Sequence, residues 1–160
     1  MRDLRDGEAL LLGSSTYRVT LPEIPSSTWD RVSEVGPTLS QVALHFRVSL
    51  DEEHVELAAS IGGRRADLGS RAHHYLLLTL ARLRVLDVDP ALPSSARGWV
   101  SQDRLLKMLG ARSGALHLSV FRARSELAQL GVIDSANLIE RRKSSQQLRL
   151  GVSAVSIERI

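Results

Sequence analysis

The stretch SGALHLSVFRARSELAQL, Ser113 to Leu130, constrains this chain more than any other. Leu116, Val120, Ala123, Leu127 and Leu130 recur at spacings of four, three, four and three, which draws one stripe along an α-helix. Leu118 and Arg122 fall well away from that stripe, and Arg124 lies near the middle of the same helix. An apolar stripe stabilises a helix only when it is buried against a body. The fold must therefore dock this segment by one side and leave the other side, with its arginine, facing out.

The preceding residues are read as that body. Val42, Leu44, Phe46, Val48 and Leu50 alternate with Ala43, His45, Arg47 and Ser49, the pattern of a half-buried strand. Asp51-Glu52-Glu53 is a turn of solvated acids, Val55, Leu57 and Ala59 make a second strand, and Gly62-Gly63 supplies a tight turn before Arg65–Leu68. A small antiparallel meander is expected there. Ser70 is read as the N-cap of a greasy helix through RAHHYLLLTLARLRV, with Tyr75, Leu76, Leu80 and Leu83 on one face. After the loop DVDPALPSSARG, Trp99-Val100 is a short extended piece. Ser101 caps QDRLLKMLG, which Leu105, Leu106 and Leu109 bury and Gly110 ends. Past the third helix, NLIERRKSSQQLRLG predicts two short strands around a polar tip.

The N-terminus is read separately. Ala9–Leu12, the turn signal Gly13-Ser14-Ser15 and the alternation of Tyr17, Val19 and Leu21 predict a β-hairpin over 1–21. Residues 22–40, rich in proline and serine and without a period, are a linker by composition. The main domain is set at 41–160.

Charge adds direction. Residues 1–98 carry 11 Lys/Arg against 13 Asp/Glu, whereas 99–160 carry 10 against 5. A cationic C-terminal part calls for a polyanionic partner, most simply nucleic acid. Aromatics, at 4%, are too few for a base-stacking platform. The absence of cysteine removes disulfide and thiolate chemistry. No apolar run reaches the ~20 residues of a membrane span, and MRDLRDGEALLL is too acidic and too briefly apolar for a signal peptide, so no membrane role and a cytoplasmic location are expected.

No nucleophile–base pair, phosphate-cradling glycine loop or metal quartet is legible, so an enzymatic role, a cofactor and a metal are not expected. His73 and His74 diverge by about 100° on a helix and are read as packing or capping residues rather than ligands of one ion. Phe121 is assigned to the edge of the core. Gly62-Gly63-Arg64-Arg65 is a turn with exposed charge, only weakly suggestive of phosphate binding.

Sheet, three helices and a basic hairpin, in that order, predict an α+β fold: a winged helix-turn-helix preceded by a small antiparallel β-sheet. GWVSQDRLLKMLG, ALHLSVFRARSEL and LIERRKSSQQLRL make residues 42–151 resemble the OmpR/PhoB-type response-regulator effector domain. The chain departs from that pattern at Ser125 and Glu126, where the family has basic residues, and lacks the Gly-x-Gly-Tyr of its wing. The resemblance implies a bacterial DNA-binding transcriptional regulator whose helix 113–130 enters the major groove and whose wing, 139–150, meets phosphates or the minor groove. It assigns Leu118 to an apolar groove contact, Arg122 to base edges or nearby phosphate, and Arg124 to the backbone, with Ser119 beside them on the helix. Arg141, Arg142 and Lys143 are the wing contacts, and Arg112 a phosphate contact.

RDLRDGEALLLGSSTYRV also resembles the last hairpin of a forkhead-associated (FHA) domain, although the loops with which that family grips phosphothreonine are not in this chain. Double-stranded DNA is the expected partner, with RNA polymerase or a signalling protein as further partners and a dimer on DNA as one arrangement. The alternative expectation is a protein-interaction module of an FHA-type signalling protein, with Leu118 and Phe121 beside Arg122 as its contact patch.

Overall fold

A computed structural model describes residues 9–12, 15–18, 36–87 and 89–160. The chain divides into two units, 1–35 and 36–160. In the first, β1 (Ala9–Leu12) and β2 (Ser15–Arg18) pair antiparallel with Leu12 opposite Ser15 and Ala9 opposite Arg18, so the expected hairpin forms as far as it is described. Val19 and Leu21 lie outside the described residues, as do 22–35 of the expected linker.

The second unit is α+β. Residues 36–40, assigned to the linker by their composition, belong to it. Leu39 is buried and its N–H donates to Asp134 Oδ1 at 2.8 Å, while Pro37 O accepts from Ile133 N–H at 3.0 Å. One apolar residue and two long-range bonds outweigh the flexible composition around them.

The meander forms as β3 (Val42–Val48), β4 (Val55–Ile61) and β5 (Arg64–Ser70), antiparallel throughout. Alternate residues Val42, Leu44, Phe46 and Val48 are buried as the pattern requires. Leu50 is not part of the strand: it sits in the turn and is 80% exposed. At the β4–β5 turn Gly62 and Gly63 both have positive φ, 55° and 81°, the left-handed pair that a two-residue hairpin demands. A fourth strand, β9 (Ala154–Arg159), joins from the C-terminus and pairs parallel with β3, giving the order β5-β4-β3-β9. Its Val155 and Ile157 pack against the core, in a strand beyond those predicted from the sequence.

Three helices follow β5: α1 (His74–Leu86), α2 (Gln102–Leu109) and α3 (Ser113–Gln129). Ser70 is not the cap of α1, because it is still paired with Glu56 at the end of β5; His73 takes the N-cap position, without a side-chain cap bond. Leu76, Leu77, Leu78, Leu80 and Ala81 are all buried, since α1 touches β4 of one sheet, β8 of the other and both remaining helices. Tyr75, expected on the inner face, is 36% exposed. Ser101 caps α2 by accepting from Arg104 N–H, and Gly110 ends it in the left-handed conformation, both as expected. The second sheet, ordered β6-β8-β7, joins β6 (Val100–Ser101) to the hairpin of β7 (Ile139–Arg142) and β8 (Gln147–Leu150). Among the described residues no helix is long and apolar enough to cross a membrane.

Candidate nucleic-acid interface

Leu116, Val120, Ala123 and Leu127 of α3 are buried, and Leu130 just beyond it is half-buried, so the stripe docks the helix as its spacing requires. The opposite face is open: Leu118 is 47% and Phe121 67% exposed, with Arg122 exposed beside them. Phe121 is thus not a core-edge residue. It lies about 140° around the helix from Leu116, five residues at 100° each, on a side that no described residue buries.

The basic hairpin stands beside this helix. A notch of about 290 Å³ is lined by His117 of α3, Gln102 of α2 and Arg141, Arg142, Lys143 and Gln146 of the β7–β8 hairpin. Gln102 N–H donates to Gln146 O at 2.9 Å, tying the start of α2 to the hairpin tip. Among the described residues, Arg112, Arg122, Arg141, Arg142 and Lys143 have no carboxylate within 4.0 Å. Arg112 is exposed at the N-cap of α3, and Ser119 is half-buried. Arg142 lies 4.0 Å above the Trp99 ring. Such a contact is worth about 0.5–1 kcal/mol at an exposed site, too little to hold the guanidinium against a phosphate.

Arg124 does not project with the others. It donates to Ile139 O at 2.7 Å, at the start of β7, and burial lowers its pKa with help from the nearby charge of Arg141. Its part in any interface is to hold the hairpin against α3. Arg149, with no assigned role in the sequence reading, does similar work from β8. It is buried, pairs with Glu140, and donates to Ser94 O at 3.1 Å and Ser95 O at 2.6 Å.

His117, Gln102 and Gln146 also escaped the sequence reading. A signal for His117 was present, since it neighbours Leu118 on the same outward turn; the two glutamines come together only through the pairing of β8 with β6.

On the other flank of α3, Glu126 meets the start of α1. His73 Nε2 lies 2.8 Å and His74 Nε2 2.9 Å from the same Glu126 Oε2, and Arg71 Nε is 3.2 Å from Oε1. The two histidines therefore do converge. His73 precedes the first turn of α1, and the rings meet edge to face at 4.7 Å with 76° between their planes, so their rotamers undo the divergence of the backbone positions. Burial pushes the Glu126 carboxyl up, but hydrogen bonds and charge from His74 and His73 outweigh it and leave the group below the usual carboxylate range. A cleft of about 370 Å³, lined by Arg71, His73, Phe121, Arg122 and Glu126 among others, opens beside this cluster.

No family model, curated protein or solved structure matches this chain.

Proposed function

We propose that the 36–160 unit is a winged helix that binds double-stranded DNA in a bacterial transcriptional regulator of the OmpR/PhoB type. The observation that carries this reading is the cationic notch in which His117 of α3 meets Arg141, Arg142 and Lys143, next to an α3 face that leaves Leu118 and Arg122 open. An α-helix fits the major groove, and a helix held by its buried stripe presents that outer face to base edges. Leu118 suits a thymine methyl, Arg122 suits a guanine edge or an adjacent phosphate, and the hairpin and Arg112 take phosphates that fix register. Arg124 and Arg149 keep the hairpin at the angle this needs.

The exposed Leu118 and Phe121 beside Arg122 favour a second reading, a protein-interaction module of an FHA-type signalling protein. Salt separates the two. Selection from a randomised duplex pool should return a preferred sequence whose affinity falls steeply with salt. Arg122→Ala should relax base preference; Lys143→Ala should weaken all sequences alike and reduce the salt slope by about 0.9. Duplex binding by both variants indistinguishable from the parent across the salt range would remove this surface from consideration.

A further inference from the structure

We infer that His73, His74 and Glu126 form a binding site for one divalent transition-metal ion of the zinc class. Two imidazole nitrogens and a carboxylate oxygen are the donor set that borderline cations such as Zn²⁺ take, with one further position left for water. The three donor atoms lie within 4.8 Å of one another. Donors at about 2.0–2.2 Å from a tetrahedral ion are about 3.4 Å apart, so the 2.8 and 2.9 Å pairs open slightly to admit one and the two histidine nitrogens, within 4.8 Å of each other, settle to the same spacing.

The bonding around the cluster is incomplete in the sense that a cation corrects. Both histidines crowd onto Oε2, while Oε1, buried, has the Arg71 ion pair at 3.2 Å but no well-directed hydrogen bond. His74 Nδ1 is buried without any partner, so nothing fixes its tautomer. Arg71, whose side chain is 64% exposed, is the cation paired with Glu126 and can swing into solvent. Access is provided as well, since His73 and Glu126 line the wall of the open cleft. The site joins the start of α1 to the last turn of α3, and it does not depend on what the exposed face of α3 binds.

The test is titration of the tag-free full chain with Co²⁺ and then Zn²⁺. One equivalent of Co²⁺ should produce the visible bands of a tetrahedral site, and Zn²⁺ should abolish them. In nitrogen-detected spectra Zn²⁺ should move the imidazole signals of His73 and His74 and leave those of His45, His54 and His117 in place. Loss of an outer partner alone weakens metal sites by about 10-fold or more, so His73→Gln and Glu126→Gln should each exceed that, while His45→Gln, outside the cluster, should bind as the parent does. The inference is overturned if the parent takes up neither ion stoichiometrically, if the signals that move belong to other histidines, or if His73→Gln binds like the parent. The spectra of the parent decide the matter even if a variant does not fold.

Discussion

Two arginines two positions apart on α3 meet different fates because two residues turn a helix by about 200°. Arg122 is exposed, whereas Arg124 swings toward the hairpin and donates to Ile139 O. A bond from a charged donor contributes about 1.5–3 kcal/mol. Arg124→Gln should therefore lower stability by about 1–2 kcal/mol in urea denaturation, and should weaken the proposed DNA binding through loss of hairpin placement rather than loss of a contact. A second residue with a measurable role is Glu52, whose place in an acidic turn predicts only solvation. It accepts two bonds from Arg82 of α1, at 3.0 and 2.9 Å, and the hydrogen bonds and charge of Arg82 hold its carboxyl below the usual range. A depressed folded-state pKa contributes stability that is present above the unfolded value and is lost as pH falls through the folded one. Between about pH 7 and about pH 3 the parent should thus lose more stability than Glu52→Gln, as measured by urea midpoints at each pH. Equal losses would show that the Arg82 pair contributes nothing.

At the scale of elements, α3 is held by its stripe rather than by a cap, since Arg112 makes no side-chain cap bond at its start. Truncating a buried leucine to alanine costs about 2–5 kcal/mol. Leu116→Ala, at a fully buried position in the first turns, should fall in that range by chemical denaturation, whereas Leu118→Ala should change stability by less than about 0.5 kcal/mol. Reversal of that order would mean that the exposed and buried faces have been exchanged. The β7–β8 hairpin depends on different forces. Two strands alone are marginal, and here β6 adds a third, Arg149 binds Glu140 and the carbonyls of Ser94 and Ser95, and Arg84 donates to Leu150 O. Those bonds fix the base of the hairpin while its cationic tip stays open.

For the 36–160 unit as a whole, the pairing of β3 with β9 closes the chain on itself. β3 is an interior strand only because β9 lies along it over Ala154–Arg159. Removing residues 153–160 would expose an edge carrying Phe46 and its neighbours and uncover Val155 and Ile157 contacts in the core. Unpaired apolar edges recruit other chains. The truncated protein should melt at a clearly lower temperature and sediment as aggregate at concentrations where the parent stays dispersed; unchanged melting would show that β9 is dispensable.

Periodicity determined the strands β3 and β4 and the buried stripe of α3, because alternation and a 3.6-residue repeat record burial within a single element; cap chemistry marked the ends of α2 at Ser101 and Gly110, whereas Tyr75 and Phe121, expected at the core, are exposed. Local turn chemistry gave the Gly62-Gly63 hairpin. Contacts between residues far apart in the chain were decided only by the tertiary structure: β9 beside β3, Leu39 in the core, Arg124 on Ile139, and two histidines on one glutamate about fifty positions away. No period marks such meetings. Each depends on where packing sets one element against another, and that placement is a property of the whole core rather than of any segment within it.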